Sequence, residues 1–519
     1  MIQVNRIYLI FNRLVTKKFL VDTSDVIYKI AACSALVALV LSGCKESFLE
    51  EDPNGYISSD QIKENAVWNP NIMLGQALGT YSTTFAWQTG GTTNHDDFGQ
   101  KSIDIATDLM SGDLAMSGET YGWFSDAARL QCNTTTKNRT YMLWRYYYRI
   151  IKACNEIFDT VGGDESVPAN EDNQNYYAQA KALRAHSYFN LVNLYAKPYD
   201  IDKNAKAIPL YRSQTTAETL GLSTVEEVYE RVIIDLKESI NILEELESAG
   251  IGRPNGTKDQ IDQWTAKGIL AYVYLTKGEY ENAAALTSDI INNSGYPLMS
   301  ETEIIESGFR SINIGSWMWA FDITKDNTGG LPTFWGQVDY FTYSYCSAGD
   351  YKMIDHNLYN EIPETDTRKQ WFHPSVLISW YKFYDAGRKA MGDRTWTNDI
   401  VYMRVEEMYL INAEANARAN HLPEAKAALK ALLEQRDQAT AAEVDNMNAD
   451  QLLENIYYNW RVEMWAEGRG LLTLKRFHKS MVRGDNNYAL TGETISYDDS
   501  RLIFEIPERE VTNNPNLQK

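Results

Sequence analysis

The segment Trp264–Pro297, WTAKGILAYVYLTKGEYENAAALTSDIINNSGYP, constrains the fold more than any other part of the chain. Ile269, Leu270, Val273 and Tyr274 recur at helical spacing, Gly278–Glu279 makes a turn, and Ala283, Leu286 and Ile290 form a facing stripe. This pattern predicts two antiparallel helices. Ala271, Gly278, Tyr280 and Ala283 keep the spacing of a tetratricopeptide repeat, in which small residues let paired helices approach closely. The same offsets return at Ala413, Asn420, Leu422 and Ala425. A lone hairpin of this kind cannot bury its own apolar face, so a stack of hairpins is expected.

Other segments extend the pattern. Helices are predicted over Asn71–Tyr81, over Tyr141–Phe158 with its Leu143, Tyr147, Ile150, Ile151, Cys154 and Phe158 stripe, and over Asn173–Tyr195, which Pro198 closes. Another runs through Val225, Val228, Val232, Leu236, Ile240 and Leu243, and helices resume from Met403 to Arg436 and from Gln451 to Trp465. Leu502–Pro507 reads as a short extended segment. The repeats thus occupy about residues 141–297 and 403–466. Between them, Gly308–Asp399 loses the helical period and carries Trp317, Trp319, Trp335, Trp371, Trp380 and Trp396, which predicts a loop-rich, partly β insertion packed on the repeats. Ser82–Gln100 and the neighbourhood of Tyr121-Gly122-Trp123-Phe124 read as irregular loops.

The chain of 519 residues contains 33 Tyr and 13 Trp, more ring surface than packing of such a scaffold needs. Its formal charge of −21 argues against nucleic acid or anionic lipid as the main ligand and leaves a neutral ligand open. The five cysteines, Cys33, Cys44, Cys132, Cys154 and Cys346, form no CxxC and suggest no disulfide framework.

Ile30–Leu41 is a short apolar run behind Lys29, too short to span a bilayer and suited to the core of a signal peptide. It ends in Leu41-Ser42-Gly43-Cys44, which matches the bacterial lipobox. Residues 1–43 are therefore expected to be a signal peptide, with Met1–Tyr28 as an extension of its leader. Cys44 is expected to become the lipidated first residue, and acyl chains on it would anchor the protein to a membrane. An acidic tether over 44–56 follows, and residues 57–519 are expected to form one domain.

Several blocks together resemble the SusD/RagB family of surface glycan-binding lipoproteins from Bacteroidetes-type bacteria. They are Cys44 with Ser47-Phe48-Leu49-Glu50; Trp144, Tyr148, Ile151 and Asn155 on one helix; Arg404-Val405-Glu406-Glu407-Met408-Tyr409-Leu410-Ile411 with Ala413-Glu414-Ala415; Arg461, Glu463 and Glu467-Gly468; and Glu505-Ile506-Pro507 with Glu510 and Asn514-Pro515-Asn516-Leu517. The sequence departs from the family at Gly470 and Thr473-Leu474, where the family usually has an Arg and an Asp-Leu pair. That puts one packing ion pair in doubt, with Arg469 as the available replacement.

The resemblance implies a mainly α fold of tetratricopeptide-like hairpins with a variable region that carries a glycan site. It also implies a cell-surface location at the outer membrane, anchored only through Cys44, and a TonB-dependent outer-membrane transporter of the SusC type as partner, met by the exposed helix faces. The expected role is capture of oligosaccharides without catalysis and without a cofactor or metal. Sugars stack flat C–H faces on aromatic rings and need polar groups at the rim. In Gly329–Cys346 the candidates are Trp335, Tyr340 and Tyr343 with Gln337 and Asp339; in the earlier loops they are Trp87, Tyr121 and Trp123 with Asp126.

Enzymatic readings find little support. The sequence has no HExxH, no Walker motif, no Gly-x-Gly-x-x-Gly and no Gly-x-Ser-x-Gly elbow. Asn94-His95-Asp96-Asp97 reads as a solvated loop rather than a metal site, and His186 as a structural residue. A peptide or another nutrient on the same scaffold is the alternative ligand. A surface-anchored glycosidase would need two convergent carboxylates.

Overall fold

Apolar stripes and caps mark out the helices. In the computed structural model, which describes residues 59–215, 218–252, 258–385, 387 and 394–517, they run α1 (Asn71–Thr83), α2 (Gln100–Ser111), α3 (Asn138–Thr160), α4 (Glu171–Tyr195), α5 (Val225–Ser248), α6 (Gln263–Lys277), α7 (Tyr280–Asn293), α8 (Val405–Arg418), α9 (Leu422–Leu433), α10 (Ala449–Glu463) and α11 (Gly470–Arg476). The chain divides into Met1–Gln61 and Ile62–Lys519, and the described residues fall almost wholly in the second unit. The expected signal peptide, Cys44 and the tether lie outside the described residues.

Local chemistry sets the helix ends. Asn170 accepts a hydrogen bond from Asn173 N, Thr224 and Glu227 form a capping box, and Asp262 accepts from Thr265 N. Gly278 closes α6 with φ 85°, a left-handed conformation that glycine adopts without strain, so α7 can fold back immediately.

Stacking follows chain order. α3 packs on α4, α4 on α5, α5 on α6 and α6 on α7. α7 then packs on α8 and α8 on α9, so the two hairpins with matching repeat spacing are neighbours in space although the insertion separates them in sequence. Short antiparallel ladders organise the insertion. Trp317–Phe321 pairs with Ile400–Arg404, from Trp317 opposite Arg404 to Phe321 opposite Ile400, and closes its stem. Helix α8 accordingly starts at Val405 and not at Met403, because Ile400–Arg404 belongs to this ladder. A second pair sets Leu114–Met116 against Lys352–Ile354, with Leu114 opposite Ile354. That pairing brings the loop after Met116 beside the 340–351 segment.

The charged family blocks lie inside. Arg404 Nη1 is 2.7 Å from Glu463 and its Nη2 2.8 Å from Glu467, while Arg436 and Arg368 reach Glu463 at 3.0 and 3.1 Å, all of them buried. Ion pairs taken out of water add little net stability, but removing one partner is costly, so such a seam favours one packing arrangement over others. Arg469 Nε, half-buried, pairs with the buried Glu407 at 2.8 Å, which provides an ion pair next to the departing block.

Among the described residues no helix is long and apolar enough to cross a membrane.

Candidate aromatic binding site

Three loops meet beside α3. The first precedes α2, the second follows Met116, and the third precedes Lys352. Their rings form a continuous cluster. His95 stacks on Trp123 with centroids 5.3 Å apart and planes 10° apart, and it meets Trp87 edge-on at 5.7 Å. His95 Nδ1 lies 2.5 Å from the Tyr345 hydroxyl. Tyr345 in turn meets Tyr121 edge-on at 5.1 Å and Trp123 at 6.2 Å. Trp87 is 40% exposed and Tyr121 48%, while Trp123 is half-buried and Tyr345 buried. Two large rings therefore face solvent from a fixed base.

Hydrogen bonds hold the base in place. The Trp87 indole N–H donates to Asn94 O at 2.9 Å. The Asp97 carboxylate accepts from Gly90 N, Thr92 N and Thr92 Oγ1 at 2.6–2.8 Å and so folds the loop onto itself. Burial raises the Asp97 pKa above the ordinary carboxylate value despite those donors. Arg139, at the start of α3, joins the first loop to the second: its Nη2 reaches Asp96 at 2.5 Å and its Nε and Nη2 reach Asp126 at 2.9–3.0 Å. Burial opposes its charge, but Asp126 and Asp96 outweigh that and raise the guanidinium pKa. Asp350 ties the second loop to the third by accepting from Thr120 N at 2.6 Å and Tyr121 N at 3.1 Å.

The sequence-based candidates divide on this geometry. Trp87, Tyr121 and Trp123 come together. Trp335 does not join them: it lies in a short helix, Phe334–Val338, capped by Thr333, and its ring packs in the core against Phe334 and Phe383, 1% exposed. Tyr340 is half-buried against Phe341 and Tyr351. Tyr343 is covered by the Arg394 guanidinium, 4.1 Å from its ring centroid. The polar candidates are occupied by the scaffold. Gln337 is buried, donates to His95 O at 3.1 Å and accepts from Lys352 Nζ at 3.3 Å. Asp339 is buried and accepts from Trp396 Nε1 and Thr342 N, each at 3.0 Å, and Asp126 is committed to Arg139. These groups shape the site and leave no free oxygen facing a ligand from Gln337 or Asp339.

His95 and Tyr345 are the cluster members that sequence reasoning missed. His95 sat in a polar run that reads as a solvated loop, and Tyr345 was one tyrosine among several. Among the described residues no group of three or more His, Cys, Asp or Glu is arranged to hold a metal ion.

Comparison with known proteins covers most of the chain. Residues 89–275 match a family model described as starch-binding and associating with the outer membrane, and residues 333–519 match the SusD family model. The chain belongs to the SusD/RagB family. A SusD-like protein of Bacteroides ovatus is 24% identical over 287 residues, which cover 52% of this chain and 45% of the relative. SusD-like protein P2 of Formosa agariphila is 27% identical over 51% of this chain and 46% of its own length. In both cases the match spans less than half of the relative. The fold match is more extensive. A SusD-like carbohydrate-binding protein from Bacteroides vulgatus superposes with a TM-score of 0.72 at 23% identity, covering 87% of this chain and 97% of that one. Surface glycan-binding protein A from Bacteroides thetaiotaomicron, solved in complex with laminarihexaose, gives 0.64 at 16% identity over 86% of this chain and 98% of its own. At these identities the solved structures establish the SusD fold and nothing finer.

Proposed function

We propose that this SusD-family protein binds oligosaccharides at the cell surface without cleaving them, using Trp87 and Tyr121 as stacking platforms. The carrying observation is the exposure of these two rings on a base of His95, Trp123 and Tyr345 that hydrogen bonds hold rigid. A pyranose face laid on such rings gains dispersion and sheds water without ordering new protein segments. Family membership and the glycan-bound fold relative support the same ligand class.

A binding role also fits the carboxylates around the rings. Asp96 and Asp126 are held by Arg139, Asp97 by its own loop and Asp350 by backbone amides, so none is poised as a general acid or nucleophile. The lipobox at Cys44 supports an outer-membrane anchor, and family membership supports delivery to a TonB-dependent transporter. An array of neutral oligosaccharides probed with the purified domain tests the ligand class. Saturable binding without product release is expected; uniform silence, or hydrolysis that a single Asp or Glu replacement abolishes, would overturn the proposal.

A further inference from the structure

Trp87 belongs to a second feature. With Phe85, Phe98, Phe334, Trp335 and Trp396 it lines a cavity of about 100 Å³, and the exposed Asn327 and Gly329 line it too, so it reaches the surface. Aromatic rings make up much of the wall, with Ile323 and Ile400 beside them and Thr328 and Thr333 as hydroxyl-bearing residues. Lys101, the charged residue among them, is neutralised by Asp104 at 3.0 Å.

Three indoles line this space. Two have spent their N–H groups: Trp87 on Asn94 O and Trp396 on Asp339. The third, Trp335 Nε1, is buried without a hydrogen-bond partner, and so is the Thr328 hydroxyl oxygen on the same wall. Buried donors of this kind are uncommon in folded proteins, because each one left unmet is costly. Hydrogen-bond acceptors on a ligand would relieve them.

Size and polarity limit what that ligand can be. A cavity of roughly 150 Å³ holds a benzene ring, so one of about 100 Å³ takes a smaller group than a pyranose. A methyl group would suit the walls but leave the indole N–H unmet. A hydroxymethyl oxygen could accept from the indole N–H, but it would bring a donor that needs its own acceptor and offer no methyl group to the apolar part of the wall. An acetyl group satisfies both demands, with its methyl against the rings and its carbonyl oxygen accepting from Trp335 Nε1 and Thr328 Oγ1. We propose that this cavity receives the acetyl group of an N- or O-acetylated sugar stacked on Trp87. The proposal rests on the reading of Trp87 as a glycan platform and adds the substituent that the site selects.

Matched ligands test it. Calorimetry compares chitotetraose with cellotetraose, which share a β-1,4 backbone and differ at the 2-substituent, and acetylated with deacetylated xylo-oligosaccharides. The wild-type protein is expected to prefer the acetylated member of at least one pair by about tenfold. Trp335→Phe keeps a smaller aromatic ring and removes the N–H, and Thr328→Val removes the hydroxyl on a half-exposed loop. Both are expected to shrink the preference while binding of the unacetylated partner holds steady; the melting temperature should be kept by Thr328→Val and lowered by Trp335→Phe, which vacates core volume. Equal affinities within every pair, or a preference that survives both substitutions, would overturn the proposal and leave the glycan reading standing. Silence toward every ligand, acetylated or not, would remove both.

Discussion

Single side chains show how far ring type is from ring role. Trp87 and Trp335 both lie in Gly- and Thr-rich sequence, yet one is 40% exposed and the other 1%. Deleting them should therefore have opposite consequences. Trp335→Ala opens a cavity in the core and is expected to cost about 3–5 kcal/mol of stability. Trp87→Ala, which loses one indole hydrogen bond, and Tyr121→Ala should each cost about 1 kcal/mol or less while weakening saccharide binding. Chemical denaturation of the three variants checks the first difference. Equal losses for Trp87→Ala and Trp335→Ala would show that Trp87 is a packing residue.

Elements explain why the rings converge. The β pairing of Leu114–Met116 with Lys352–Ile354 sets two loops side by side, and Arg139 ties in the third. Arg139→Met leaves Asp96 buried without its cation, and breaking a buried pair costs about 3–5 kcal/mol. It is expected to raise hydrogen exchange in 88–97 and 117–128 and to reduce binding although Arg139 itself is buried. Unchanged exchange in both loops would contradict that role.

The helical hairpins were legible because each has an apolar stripe bounded by a turn residue, as at Gly278, and Trp87, Tyr121 and Trp123 were legible as loop aromatics. Helix α2 was not. Lys101, Asp104 and Asp108 recur at i, i+3 and i+7, spacing that would read as a solvated face, yet all residues of the helix are buried: Lys101 pairs with Asp104, and Asp108 accepts from Gly468 N and Gly470 N. The burial of Trp335 was not legible for a related reason. The Gly and Pro residues around it suggest a loop, but Thr333 caps a short helix there that turns the ring inward.

At the scale of the molecule, stability should depend on pH through the buried charges. Burial would raise Glu467, but Arg404 and Lys382 bring it down to about 2 from 4.5. A carboxylate whose folded pKa is depressed stabilises the fold above its unfolded value, and that contribution is lost as pH falls from about 4.5 through about 2. Asp108 acts in the opposite sense. Burial pushes it up to about 7 from 3.8, so it favours the fold at low pH and withdraws stability as pH rises through that interval. Urea midpoints measured across these ranges should fall on the acid side, and Glu467→Gln should flatten that limb. An unaltered acid limb in the variant would assign it to other carboxylates.

The same seam of buried charge and the stacked hairpins give a rigid body on which a small exposed aromatic surface can be held ready. Its readiness is the central claim. The most direct test is calorimetric titration of the wild type and the Trp87→Ala/Tyr121→Ala double variant with the strongest oligosaccharide ligand. The prediction is saturable binding by the wild type and at least about a hundredfold loss in a double variant that still unfolds in one cooperative transition, roughly 3 kcal/mol for two stacking rings. Undiminished affinity in that variant would contradict the account.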